Sequence, residues 1–220
     1  MTNPQLEKTR ALNEDHHRRM ASDAGGRMAG ENERICDLDR QSRFAILTNM
    51  IKAVPTTVSL AGRKLNVLEL GSGYCGDVET LEQKLGTDLL STIRYVGVEV
   101  VPHVVDSARI KHPHLGMHCT IWEQAAEWWP GRFDFIYSRH VMEHALDANA
   151  ACKAIATLLA PNGVAGAVTP HYFPDPEPAH VTQLECHQWM QLYQNAGLEV
   201  CYGAVHGYNC EEAHIVVRKR

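Results

Sequence analysis

A chain of 220 residues with 45% hydrophobic and 21% charged side chains has material for one well-buried α/β core plus an extra segment, which excludes global disorder and two full-sized domains. Its net charge of −5 divides into 11 Lys/Arg against 8 Asp/Glu over residues 1–64 and 10 against 18 over the remainder, so it lacks the strongly basic balance of a nucleic-acid binder, and nucleic acid is not the expected partner. No apolar run approaches the ~18 residues of a membrane span, the start Met1-Thr2-Asn3-Pro4-Gln5 lacks the basic and apolar signature of a secretory signal, and the 7 scattered cysteines never show CxxC spacing; a reduced, cytoplasmic protein is expected.

Residues 5–20 and 31–54 read as helices, with Leu6, Leu12 and Met20 in the first and Ile35, Leu38, Phe44, Leu47, Met50, Ile51 and Val54 on one face of the second. Ala24 to Gly30, with Gly25, Gly26 and Gly30, breaks them apart. Residues 1–64 are therefore expected to form a helical extension, either a lid over a cleft or packing on a sheet edge, ahead of a core over residues 65–220. The adjacent His16 and His17 sit on a charged helix and read as solvated.

From residue 65 short apolar strands alternate with helices, the pattern of a parallel sheet covered on both faces. Strands are predicted at 65–70, 93–98, 116–121, 133–138 and 163–168, and helices at 76–86, 102–111, 123–128, 147–160 and 182–196. Two more strands, 198–206 and 212–218, are joined by Gly207-Tyr208-Asn209 and close into an antiparallel hairpin. The predicted fold class is α/β: a mostly parallel, doubly wound sheet of about seven strands with an antiparallel last strand, plus N-terminal helices.

The first chemical signal is Val67-Leu68-Glu69-Leu70-Gly71-Ser72-Gly73-Tyr74-Cys75-Gly76-Asp77, a buried-type strand running into a glycine turn that opens a helix. Gly71 and Gly73 let backbone approach a ligand where a Cβ would collide, and the following helix presents free N–H groups. The spacing of Gly71, Gly73 and Gly76 also satisfies GxGxxG, so a nicotinamide-dependent oxidoreductase stays open here. The second signal is the strand Tyr95-Val96-Gly97-Val98-Glu99. A carboxylate at its tip can accept hydrogen bonds from ribose hydroxyls; an acid complementing a helix dipole is the other reading. At the next strand end, Trp122 either covers a base ring or fills the core, and Glu123 and Gln124 compete for a polar contact.

The segment from Val67 to Asp77 resembles motif I of the class I S-adenosylmethionine-dependent methyltransferases. Phe133-Asp134-Phe135-Ile136-Tyr137-Ser138-Arg139-His140-Val141-Met142-Glu143-His144 is similar to that family's passage from strand four through a His/Glu-bearing turn. With Leu158 to Gly163 and Asn195 to Leu198, the resemblance spans residues 65–218. It implies S-adenosylmethionine as cofactor, with Glu69 near its amino-acid end, Glu99 on the ribose and Trp122, Glu123 and Gln124 around the adenine. Gly71, Ser72, Gly73 and Arg139 complete the implied contacts. The family's usual third glycine is replaced here by Cys75. Methyl transfer to oxygen or nitrogen of a small-molecule acceptor follows as the expected activity; a catalytically silent partner subunit of the same fold is the other alternative. The oligomeric state leaves no sign in the sequence.

His140, Glu143 and His144 also spell HxxEH, an inverted zincin pattern. That motif needs a continuous helix and a third ligand, whereas here it follows directly on a buried strand, so no metal is expected. His112, His114 and His118 read as a loop entering the third strand. Thr169 to His180 contains four prolines after the fifth strand, a stiffened connection at the edge where acceptors approach, which makes His171, Tyr172 and His180 pocket candidates. An oxygen acceptor must lose a proton, and His140, His144 and His171 are the candidate bases in that order.

Overall fold

The computed structural model describes residues 4–24, 41, 42, 45, 46, 49, 53, 63–78, 91, 93–171, 178–207 and 211–220. In chain order these give α1 (Pro4–Ala24), β1 (Leu65–Leu70), β2 (Ile93–Glu99), α2 (Pro102–Lys111), β3 (Gly116–Cys119), α3 (Trp122–Trp128) and β4 (Phe133–Arg139). A single 3-10 turn (Met142–His144) follows, then α4 (Ala148–Leu158), β5 (Leu159–Pro170), α5 (Cys186–Asn195), β6 (Glu199–Gly207) and β7 (Glu211–Arg218).

The seven strands form one sheet in the order β3-β2-β1-β4-β5-β7-β6. Strands β1 to β5 run parallel, and β7 lies antiparallel between β5 and β6. This is the expected doubly wound α/β fold. Because β1 has β2 on one side and β4 on the other, the chain reverses its winding direction there, and a crevice opens beyond the C-terminal ends of these three strands.

Strand alternation divides the core into layers. Ala165 and Ala167 of β5 pack with Leu68, Leu70 and Ile136 on the face covered by α3, α4 and α5, while Val164 and Val168 join Tyr137, Val216 and Ile46 on the other. Helix α2 covers the β2–β3 side through Val105 and Ala108, which meet Tyr95, Met117 and Cys75. Helix α4 forms where Asp147 caps it, accepting from the Ala150 N–H at 3.0 Å, and it buries Ala151, Cys152, Ala154, Ile155 and Leu158 at helical spacing.

Several boundaries differ from expectation. Strand β3 stops at Cys119 rather than 121, because Thr120 turns to donate its hydroxyl to Gln124 in the first turns of α3 (2.9 Å). Helix α4 ends at Leu158, since Ala160 precedes Pro161 and is steered away from helical backbone; β5 then begins irregularly, with Asn162 at φ +63°. Helix α5 starts at Cys186 rather than 182. Thr182 is engaged elsewhere, its N–H on the Glu143 carbonyl and its hydroxyl on that of Ala145, and a capping box between Glu185 and Gln188 sets the start.

Of the second predicted N-terminal helix, residues 41, 42, 45, 46, 49 and 53 are helical, and Ile46 is fully buried against the sheet. The rest of that helix, the glycine break at 25–30, residues 79–86 of the helix predicted over 76–86, the connection from Tyr172 to Glu177 and the turn at 208–210 lie outside the described residues. Among the described residues no helix is long and apolar enough to cross a membrane. His118 belongs to β3 instead of a loop, and its ring packs edge-on against Trp129 at 4.8 Å.

Candidate active site

The crevice at the strand ends holds a cleft of about 110 Å³. Gly71, Gly73, Glu99, Trp122, His140 and His144 all line it. The β1 turn sets its floor. At Gly71 the backbone has φ +63° and a Cβ would stand 2.2 Å from Val141 Cγ2, so conformation and space both require glycine. Gly73, at φ +49°, has nothing within 4 Å of its Cβ position. Cys75 adopts φ +63° with a side chain, at a cost of about 1–2 kcal/mol, and buries its sulfur 3.5 Å from Met117 Sδ.

Glu99 stands at the tip of β2, 6% exposed. Its Oε1 accepts from the Val100 and Val101 N–H groups at 2.8 and 3.1 Å, and its Oε2 from Gly73 N–H at 3.3 Å. Burial raises its pKa above the ordinary value and these three N–H groups oppose the rise. A carboxylate offers about four acceptor positions, so capacity remains toward the cleft. Trp122 takes part in the core cluster and in the cleft wall alike.

Other predicted cofactor residues stand behind the wall. Glu69 is buried and accepts a hydrogen bond from the Tyr95 hydroxyl. Ser72 is buried beneath the loop with its N–H on the Val98 carbonyl at 3.1 Å. Gln124 accepts from Thr120, which does line the cleft, and Glu123 is half-buried beside it, its carboxyl pushed up by burial. Arg139 lies 3.5 Å from Asp77, joining the end of β4 to the helix behind the glycine loop.

Helix α1 crosses the mouth of the cleft. Leu6 packs on Val100, Val101, Val104 and Ile121, and Arg10 Nε donates to the Val100 carbonyl at 3.3 Å. Thr9, Asn13, His16 and His17 thereby line the cleft. The expectation that His16 and His17 are solvated is corrected: burial, with His16 and His103 adding to it, lowers His17 to about 4, and its Nε2 lies 4.0 Å from Glu99. The cleft-facing side of this helix is polar, so hydrophobic periodicity gave no sign of it.

His140, just past β4, has φ +53° and places Nε2 at 2.7 Å from Glu212 Oε1. Glu212 is fully buried on β7 and also accepts from Ser42 Oγ (2.6 Å) and faces His214 Nε2 (3.3 Å). Burial alone would push this carboxyl up, but hydrogen bonds from His140, His214 and Ser42 outweigh it and hold the group well below the usual carboxylate range. An ionised Glu212 only accepts, so His140 carries a hydrogen on Nε2, and the neutral ring then has its lone pair on Nδ1. Glu212 was not among the predicted residues.

The inverted zincin geometry does not occur. His140 sits in a left-handed turn and only Met142–His144 coils, as a single 3-10 turn, so no continuous helix carries the motif. His144 Nδ1 donates to the Ala179 carbonyl at 3.0 Å; burial, reinforced by His180 and His16, lowers its pKa to about 3. A second cavity of about 380 Å³ adjoins the turn, lined by Glu143, His171, His180 and Gln188 among others. His171 borders this cavity rather than the cleft, and its Nδ1 accepts from the Cys186 N–H at 3.3 Å. Tyr172 lies outside the described residues.

Comparison with solved structures places this fold among methyltransferase-like proteins. A Galdieria sulphuraria protein provisionally named a sarcosine dimethylglycine methyltransferase is similar with a TM-score of 0.65 at 12% identity, over 81% of this chain and 85% of its own. The (4+2)-cyclase SpnF gives 0.65 at 11% identity, over 82% and 80%. Phosphoethanolamine N-methyltransferase 2 of Haemonchus contortus, in complex with S-adenosyl-L-methionine, gives 0.61 at 13%, over 81% of this chain and 52% of its own. At such identities the likeness shows the fold alone. No curated protein sequence matches. The methyltransferase domain family, in contrast, matches residues 19–212, nearly the whole chain. That match decides between the two readings of the glycine loop, and the chain belongs to the class I S-adenosylmethionine-dependent methyltransferases.

Proposed function

We propose that this methyltransferase acts on an oxygen or nitrogen atom of a small molecule that reaches the cleft beside the 140–144 turn, and that His140 takes the proton the acceptor loses. The observation that carries this reading is the 2.7 Å contact of His140 with the buried Glu212. It fixes the ring's tautomer and orientation while the residue lines the cofactor cleft. Bound S-adenosylmethionine supplies an electrophilic methyl on its sulfonium. Much of the remaining catalysis is positioning of the acceptor's lone pair in line with it.

The cleft suits this cofactor. Gly73 leaves open the space a Cβ would fill, Glu99 keeps acceptor capacity for the ribose, and Trp122 offers a flat apolar wall for the adenine. Glu69, Ser72, Glu123, Gln124 and Arg139 support these groups from behind. Among the three histidines the chemistry favours His140. His144 is too weak a base near neutral pH once lowered to about 3. His171 uses Nδ1 to accept from backbone, so its other nitrogen carries hydrogen and serves as a donor. The acidic core supports a small acceptor over nucleic acid.

A panel of hydroxyl and amine acceptors with methyl-labelled cofactor tests the reading. With the acceptor found, His140→Ala should cut turnover by ~100-fold or more while S-adenosylhomocysteine binding stays nearly intact. Full turnover in that variant would leave positioning as the whole of the catalysis and remove His140 from it. Residues 1–64 act in this reading as a lid through α1, so hydrogen exchange over residues 4–24 should slow when S-adenosylhomocysteine is added. Unchanged exchange there, with slowing at Gly71, would make α1 a fixed part of the wall.

A further inference from the structure

The turn that separates the two cavities carries a set of donors that HxxEH does not describe. Glu143, His144 and His180 each offer one ligand atom, and these atoms lie within 4.8 Å of one another. His180 arrives from the loop before α5, which is pinned to the turn by three bonds. His144 Nδ1 donates to Ala179 O at 3.0 Å, Thr182 N–H to Glu143 O at 2.9 Å and Thr182 Oγ1 to Ala145 O at 2.6 Å.

The second observation concerns Glu143 itself. Glu143 is buried at 2% exposure, and among the described residues neither carboxylate oxygen has a hydrogen-bond partner. Among the described residues, His140 Nδ1 at 3.8 Å and His180 Nε2 at 3.9 Å stand beyond hydrogen-bond reach. An uncompensated buried carboxylate is costly, and native structures keep such groups where an ion or a reaction uses them. A third feature fits the same occupant. Because a carbonyl can only accept, the Ala179 contact fixes hydrogen on His144 Nδ1 and leaves the Nε2 lone pair available, the arrangement that metal-bound histidines adopt toward a backbone carbonyl.

From this geometry we propose a divalent transition-metal site in which Glu143, His144 and His180 are the protein ligands. Two imidazoles and one carboxylate with a further position open are a donor set that zinc accepts at bonds of about 2.0–2.2 Å. Donor atoms on a tetrahedral ion of that size stand roughly 3.4 Å apart, so the present cluster, with its atoms within 4.8 Å, closes by up to about 1.4 Å on binding. His16 of α1, whose ring is 5.2 Å from that of His144 and 6.3 Å from that of His180, borders the open side. His144 faces the cofactor cleft, and Glu143 and His180 face the second cavity, so the ion sits in the partition between them. A part for it in orienting the acceptor rests on the methyl-transfer reading above; its binding does not.

The test uses the full chain without a histidine tag, stripped with chelator and titrated with Zn²⁺ and Co²⁺ by calorimetry, with elemental analysis of the dialysed product. One ion per chain is expected. His180→Ala and Glu143→Gln should each weaken binding by more than the roughly 10–100-fold that disturbing an outer-shell partner costs. S-adenosylhomocysteine binding, measured on the same samples, reports folding. His114→Ala, on the exposed stretch beyond α2, should leave the stoichiometry at one. Substoichiometric uptake, or uptake that persists in both ligand variants, overturns the site. If His180→Ala loses S-adenosylhomocysteine binding as well, Glu143→Gln alone decides. Metal uptake without S-adenosylhomocysteine binding by the unmodified chain would sink the cofactor cleft and leave the metal site standing.

Discussion

Replacing Glu99 with glutamine tests the cofactor cleft at its most specific contact. The two oxygens of Glu99 divide three backbone donors, Val100 and Val101 on Oε1 and Gly73 on Oε2. An amide has one acceptor and one donor end. Whichever way it is turned, its NH₂ group faces an N–H; the cheaper choice sacrifices the 3.3 Å bond from Gly73 and keeps the shorter pair. The glycine turn then loses its tie to β2, and a ribose loses a charged acceptor. Hydrogen bonds to charged groups contribute about 1.5–3 kcal/mol, so S-adenosylhomocysteine should bind roughly 10- to 150-fold more weakly by calorimetric titration. A pH series adds an independent reading. Burial raises Glu99 above its ordinary 4.5 against the opposing N–H groups, so cofactor affinity in the unmodified chain should begin to fall on acidification at a pH above that value. The glutamine variant should show no such dependence. Equal affinity of the two proteins, with the variant folded, would refute the assignment of Glu99 to the ribose.

Two further predictions concern the supporting structure. Gly71→Ala brings a Cβ to 2.2, 2.9 and 3.1 Å from Val141 Cγ2, Cγ1 and Cβ, so a rotamer change cannot clear it; thermal denaturation should show a loss of about 1–3 kcal/mol, whereas Gly73→Ala, with nothing within 4 Å, should show only backbone strain of about 1 kcal/mol and weaker cofactor binding. Equal losses at both sites would mean that the Val141 contact is unimportant. Glu212→Gln should destabilise the chain near neutral pH, because the folded carboxyl lies below its ordinary 4.5 through bonds from His140, His214 and Ser42 that overcome its burial. A depressed folded pKa contributes stability above the unfolded value and loses it as pH falls, so the gap between the two proteins in denaturant titrations should narrow below about pH 4.5; a gap that stays constant would show that Glu212 is not ionised in the fold.

What could be read from the sequence is what the chain specifies locally. The run from Val67 to Asp77 writes strand, turn and helix within 11 residues, and Tyr95 to Glu99 ends a strand on a carboxylate, so the sheet, the glycine turn and Glu99 were legible from spacing and residue type. The antiparallel close of the sheet was legible for the same reason, from two strands joined by a short glycine-bearing turn. Contacts between residues distant in the chain follow another rule. Glu212 reaches His140 because antiparallel pairing sets Pro170 opposite Glu212 and Val168 opposite His214, a register fixed by the packing of β7 between β5 and β6. His16 and His17 face the cleft because Leu6 and Arg10 seat α1 on the β2 edge, and nothing in a helix of mixed polarity announces which side is covered. His180 meets Glu143 and His144 only because Thr182 and Ala179 fasten its loop to the turn. Hydrophobic periodicity selects the faces that leave water, and so it determines elements and layers. The partners of buried polar groups are chosen by register and by loop docking, which exist only once those layers have packed.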